Sequence, residues 1–110
     1  MITTHVLDTA SGRPGNGIAI ELEHQQASGW QRIGSGVTDT DGRLRTLTPT
    51  GPVEPGTYRI RFDTGAYFAA RGTAGFFPVV EIQFTVGDGT QHYHVPLLLS
   101  PFGFSTYRGS

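Results

Sequence analysis

No cysteine and no lysine occur among the 110 residues, and all eight basic side chains are arginines. Without cysteine the chain has no disulfides, no thiolate nucleophile and no sulfur ligands for zinc or iron–sulfur clusters. Without lysine it has no Schiff-base chemistry, no anchor for pyridoxal phosphate, no P-loop lysine and no isopeptide cross-link. Charge is sparse and balanced: eight arginines against nine acidic residues give a formal net charge of -1, so a nucleic acid finds no basic stripe to follow. No apolar run approaches the roughly 20 residues needed to cross a bilayer. The opening MITTHVLDTASG lacks both the basic and the apolar region of a secretory leader. The expected setting is therefore cytoplasmic, with neither nucleic acid nor membrane as partner. The length suits one domain over residues 1–110, with a single core burying roughly two-thirds of the unfolded chain's surface.

What the chain has instead is turn chemistry. Sixteen glycines and seven prolines break the apolar runs about every eight to twelve residues, the signature of an antiparallel β domain. A first strand is expected over Ile2–Thr9, ending in the turn cluster Ser11–Gly17, and a second over Ile18–His24, with Ile18, Ile20 and Leu22 on one face. Trp30–Ile33 forms a third. Asp41-Gly42 turns the chain into a fourth, Arg43–Leu47. Strand five, Thr57–Asp63, sets Tyr58, Ile60 and Phe62 inward. The one helical stretch is Thr64–Gly72, about two turns, with Thr64 as N-cap and Gly72 as stop. Val79–Val86, Thr90–Leu98 and Phe102–Arg108 complete eight strands. The expected fold is all-β, a two-sheet antiparallel sandwich with one short helix. The pattern alone admits immunoglobulin-like and other Greek-key sandwiches. Trp30, Tyr58, Phe62, Phe76, Phe77 and Phe84 are the expected aromatic core.

Polar side chains on strand faces narrow the search for chemistry. His92 and His94, two apart, share one face of a strand while Tyr93 and Val95 take the other. His5 shares a face with Thr3 and Leu7, and periodicity does not say whether that face is buried. Arg43 follows an Asp-Gly turn, where an arginine is ordinarily just solvated. Tyr107-Arg108-Gly109-Ser110 closes the chain with a flexible glycine and a serine that offers a hydroxyl beside the terminal carboxylate. Taken alone, two imidazoles on one strand with a third from elsewhere can bind Zn²⁺ or move protons. Asp39, Asp41, Glu54 and Asp88 fall in turns and form no carboxylate pair of the glycosidase kind. No Gly-x-Ser-x-Gly elbow is present.

These segments carry a resemblance. Thr4-His5-Val6-Leu7-Asp8, Asp41-Gly42-Arg43, His92-Tyr93-His94-Val95-Pro96 and the closing Tyr107-Arg108-Gly109-Ser110 together closely resemble the signatures of the 5-hydroxyisourate hydrolases, the enzymatic branch of the transthyretin-like family. The likeness spans essentially the whole chain. It implies the transthyretin (prealbumin-like) sandwich, a homotetramer with sites where dimers meet, and 5-hydroxyisourate as small-molecule substrate, with 2-oxo-4-hydroxy-4-carboxy-5-ureidoimidazoline as product. No cofactor and no metal is implied. By the same resemblance His5, Arg43, His94 and Ser110 are the expected catalytic residues. His94 with His5 moves the proton, Arg43 steadies the developing oxyanion, and Ser110 orients substrate or water; His92, Tyr107, Arg108 and Gly109 complete the substrate-binding set. Two other classes share such a fold, a carrier of small hydrophobic ligands and a surface or regulatory β-module. A carrier does not need imidazoles, a guanidinium and this C-terminal end together; the missing lysine removes cross-linking forms of the module, and missing linkers weaken the rest.

Overall fold

The computed structural model describes every residue from Met1 to Ser110. Along the chain run β1 (Ile2–Asp8), β2 (Arg13–Pro14), β3 (Ala19–Gln26), β4 (Gly29–Val37), β5 (Arg43–Leu44), β6 (Gly56–Phe62), α1 (Thr64–Ala70), β7 (Val80–Val86), β8 (Tyr93–Ser100) and β9 (Gly103–Thr106). One sheet has the order β2-β1-β8-β9, with β5 also paired to β1, and the other has the order β4-β3-β6-β7. The two pack face to face as a sandwich. Alternation decides which side chains meet between them: Ile2 and Val6 of β1 and Val95, Leu97 and Leu99 of β8 join Ile20, Leu22, Tyr58, Ile60, Phe62 and Val80 in one buried cluster. Ile2, Thr4 and Val6 face the core, so Thr3, His5 and Leu7 lie on the outer face of their sheet.

Pairing is antiparallel except between β1 and β8, which run parallel in the register Thr3↔His94, His5↔Pro96. The chain does not fold straight back from β7: the Asp88 carboxylate closes a local turn by accepting from both the backbone N–H and the hydroxyl of Thr90, and the chain crosses to the other sheet before β8 begins at Tyr93.

Other expected boundaries shift for identifiable reasons. The third strand is much longer than Trp30–Ile33, because Gly29–Val37 pairs with β3 along its whole length around one bulge at Leu22/Glu23. The fourth is shorter, only Arg43–Leu44. Beyond it the chain leaves β1 to cross β4, where Gly34 gives it room: a Cβ there would stand 2.0 Å from the Leu47 carbonyl oxygen. An additional two-residue strand, Arg13–Pro14, forms inside the expected turn cluster and pairs with Leu7 and Asp8. The N-cap of α1 is Asp63, whose side chain accepts from the Ala66 N–H. Thr64 is fully buried and donates to the Phe77 carbonyl instead.

Of the expected aromatic core, Tyr58 and Phe62 are fully buried and Phe77 and Phe84 pack against the cluster. Trp30 lies half-buried under the Arg59 guanidinium, and Phe76 is 68% exposed. Both sit outside the layer that β alternation fills. The helix is tied to β1 by Tyr67, which donates to the buried Asp8 carboxylate at 2.8 Å. Burial, reinforced by that carboxylate, pushes the Tyr67 phenol up to about 12.

Candidate active site

A shallow depression on the outer face of the β1–β8 sheet gathers Thr3 and Thr4 from β1, Arg43 and Arg45 from β5 and the segment after it, His92 just before β8 and His94 within it, and Ser110, with Met1 at one side. Its volume is about 200 Å³, and Met1 is the only apolar residue lining it.

The topology accounts for this meeting. Arg43 arrives beside β1 because Asp41-Gly42 makes a turn that only fits there: Gly42 has φ +74°, and a Cβ on it would stand 2.4 Å from the Val6 carbonyl oxygen, to which glycine is suited. The Asp39 carboxylate accepts from the backbone N–H of Asp41 and of Arg43, each at 2.9 Å. The Arg43 bond is the main reason that carboxyl is held below its ordinary range. The result is the register His5↔Arg43, with both side chains on the outer face. The parallel pairing then sets His94 diagonally from His5, their rings 6.5 Å apart and nearly stacked.

Thr3, directly opposite His94, organises the imidazoles. Its hydroxyl oxygen lies 2.7 Å from His92 Nε2 and 2.8 Å from His94 Nδ1. His94 is pulled below its ordinary pKa, first by burial, then by the positive charge of Arg43, with His5, His92 and Arg45 adding to it. A neutral imidazole is thus favoured where a proton acceptor is useful. No three His, Asp or Glu side chains are grouped as ligands for a metal ion; His92 Nε2 and His94 Nδ1 are both taken up by the Thr3 hydroxyl.

The C-terminal residues divide. The Gly109 N–H donates to the His94 carbonyl at 2.8 Å, and a Cβ on Gly109 would stand 2.7 Å from the His94 ring, so the tail passes flat against that imidazole and delivers Ser110 to the depression. Tyr107 and Arg108 do not join it. They line a separate recess of about 220 Å³ with Ile82, Phe84, Tyr93 and Val95. There the Arg108 guanidinium stacks over the Tyr93 ring at 4.5 Å and donates to Gln91 Oε1 at 2.7 Å.

Of the residues expected from the sequence, Arg43, His92, His94 and Ser110 therefore line one depression, His5 and Gly109 stand against His94 at its border, and Tyr107 and Arg108 lie apart. Thr3 and Arg45 were not anticipated. The signal available for each was alternation: Thr3 is two residues from His5 and Arg45 two from Arg43, so each shares a face with a residue already singled out.

Comparison with known proteins follows the same lines. Residues 2–109 match the HIUase/Transthyretin family. A 5-hydroxyisourate hydrolase of Salmonella dublin is 43% identical over 110 residues, covering all of this chain and 81% of the relative. Among solved structures, the 5-hydroxyisourate hydrolase of Klebsiella pneumoniae superposes with a TM-score of 0.86 at 35% identity, covering 99% of this chain and 98% of that one. Sea bream transthyretin, in complex with thyroxine, superposes with a TM-score of 0.91 at 34% identity, covering 98% and 93%.

Proposed function

The chain belongs to the HIUase/Transthyretin family, and on that premise we propose that it is an enzyme of the hydrolase branch, cleaving the ring amide of 5-hydroxyisourate to give 2-oxo-4-hydroxy-4-carboxy-5-ureidoimidazoline in urate degradation. The observation that carries this reading is the lining of the depression: two guanidiniums, two imidazoles with a third at the border, and hydroxyls, with one apolar side chain among them. A polar heterocycle fits that lining. The carrier reading has the close superposition on thyroxine-bound transthyretin in its favour, but a hydrophobic ligand has little to bury against here.

In the proposed mechanism water is the nucleophile. His94, neutral at working pH, accepts the water's proton through its unbonded Nε2, and His5 beside it shares the proton traffic, a contribution typically of about 10²- to 10⁴-fold. Arg43 faces the carbonyl under attack and stabilises the oxyanion as it forms, where loss of a donor typically costs on the order of 10²- to 10³-fold. The Ser110 hydroxyl orients the ring or the water. Arg108, stacked on Tyr93, holds the tail so that Gly109 and Ser110 keep their places. No metal or cofactor takes part.

A depression of about 200 Å³ is smaller than the roughly 300–1,000 Å³ usual for small-molecule sites, and it lies on an open sheet face. This supports a homotetramer, in which the same face of a partner copy closes over the substrate, working in the cytoplasm. The test is ultraviolet monitoring of freshly generated 5-hydroxyisourate against its spontaneous decay. The wild-type protein should accelerate the decay, and His5→Ala and His94→Ala should each abolish the acceleration while the assembly stays folded. Full activity in both variants refutes the assignment, and activity lost on exhaustive metal chelation refutes the metal-free mechanism.

A further inference from the structure

Thr3 belongs to none of the four sequence signatures, yet its hydroxyl sits between two imidazoles. The residue is 3% exposed, and its hydroxyl makes two hydrogen bonds, at 2.7 Å to His92 Nε2 and 2.8 Å to His94 Nδ1. A hydroxyl has one proton to give and two lone pairs. If both ring nitrogens donated, the Thr3 proton would be stranded without a partner, at a desolvation cost. If neither donated, one nitrogen would face the oxygen lone pair to lone pair. One nitrogen is therefore a donor and the other an acceptor, so the tautomers of the two histidines are locked together.

We propose that Thr3 is a positioning residue of the hydrolase reaction, fixing His94 with its proton on Nδ1 and its Nε2 bare, and linking it to His92 as the outlet for the proton that His94 takes up. This rests on the function proposed above. In the resting arrangement His94 Nδ1–H donates to Thr3 Oγ1, and the Thr3 hydroxyl donates to His92 Nε2. When His94 Nε2 accepts a proton from water, Nδ1 passes its own proton to Thr3 Oγ1 as Thr3 passes its hydroxyl proton to His92 Nε2. One proton has entered at His94 and one has arrived at His92. Threonine is again a hydroxyl, its proton now toward His94 Nδ1, and His94 is neutral as its Nε2–H tautomer; donation of that Nε2 proton to the departing ring nitrogen, with the chain running in reverse from His92, restores the resting arrangement.

The direction of that transfer follows from the surroundings. His94 is half-buried, and around it are Arg43 and Arg45 from β5 and beyond, His5 from β1, His92, Met1, whose amino group donates to the Gly51 carbonyl, and the Gly109-Ser110 tail with its carboxylate; no acidic side chain lines the depression. A positive charge on His94 is disfavoured by burial and by these cations. His92 is exposed, where water solvates the charge and buffer removes the proton.

Thr3→Val keeps the shape and β preference of the side chain without the hydroxyl, and Thr3→Ser keeps the hydroxyl. Imidazole ¹⁵N shifts at alkaline pH, without substrate, should show His94 as the Nδ1–H tautomer in wild type and Thr3→Ser, and a tautomer mixture in Thr3→Val. With substrate, Thr3→Val should lower kcat about ten- to a hundredfold, the order lost when a histidine's orienting partner is removed, with KM little changed. Added imidazole buffer should restore part of the loss, which a packing defect would not show. Thr3→Ser should stay within about threefold of wild type. Should Thr3→Val fail to fold, His92→Ala removes the outlet at an exposed position and must give the same tautomer mixture and the same buffer rescue. An unchanged His94 tautomer, wild-type kcat in Thr3→Val, or equal losses in both threonine variants overturn the proposal. If the wild-type protein does not turn over 5-hydroxyisourate, the functional reading fails instead, and the ¹⁵N shifts still decide whether Thr3 couples the two rings.

Discussion

Replacing Gly109 with alanine should disable the site through a single methyl group. The backbone of Gly109 does not have a positive φ, so an L-residue fits its conformation, and its N–H bond to the His94 carbonyl survives the change. The obstacle is the imidazole. The added Cβ would lie 2.7 Å from His94 Cδ2, about 0.7 Å inside the 3.4 Å at which ordinary contact begins. On its other side the ring is held by the 2.8 Å bond from Nδ1 to Thr3, so it cannot yield without rotating or weakening that bond. Alternatively the tail lifts and carries Ser110 away. Either displacement approaches the 1 Å misplacement that can cost on the order of 10²-fold, so kcat for 5-hydroxyisourate decay should fall about ten- to a hundredfold. The tail is peripheral to the core, so global stability should change by less than about 1 kcal/mol. Gly103→Ala is the control, since a Cβ there meets nothing nearer than Ser100 Oγ at 3.7 Å. Wild-type kcat in Gly109→Ala, or an equal loss in Gly103→Ala, would refute the reasoning.

Three further outcomes follow from groups near and far from the depression. Because burial and then Arg43 lower the His94 pKa, the acid limb of the kcat/KM profile should lie below histidine's ordinary value near 6.5, and Arg43→Gln should move it upward while reducing kcat. A limb that stays fixed in that variant contradicts the electrostatic assignment. For stability the same sign holds: the folded chain binds the His94 proton less readily than the unfolded chain, so the contribution of the neutral ring is present above about 6.5 and is lost as pH falls through the folded value. In Tyr67→Phe the Asp8 carboxylate keeps its bonds from the Ala10 and Ser11 N–H groups but loses the phenol, which should cost about 1–3 kcal/mol in denaturant unfolding. An unchanged midpoint rules out the tie between α1 and β1.

The sequence disclosed what depends on local alternation and turn chemistry. Tyr58, Ile60 and Phe62 alternate inward as expected, and Asp41-Gly42 turns where its composition says it must. It concealed what depends on partners far along the chain. Nothing near Thr90 indicates that β8 changes sheets and runs parallel to β1, and that pairing alone brings Thr3 opposite His94. The tail shows the same limit: Tyr107-Arg108-Gly109-Ser110 is legible as a unit, but its division, with Arg108 stacked on Tyr93 and Ser110 at the depression, depends on the bridge from Gly109 to the distant His94. Arg45 escaped notice because a second arginine two residues from Arg43 gains meaning only once the outer face is known to be the working one.

The parallel pairing of β1 with β8 has a thermodynamic consequence for when catalysis can arise. Thr3 and His94 are 91 positions apart, so joining them closes nearly the entire polypeptide into a ring, at an entropic cost of about 4 kcal/mol from the logarithmic length dependence alone. No fragment holding only one terminus can assemble the imidazole group, and a nascent chain stays inert until β8 docks beside β1. Turnover therefore reports completed folding, making the hydrolytic signal a built-in gauge of how many molecules have reached the native state.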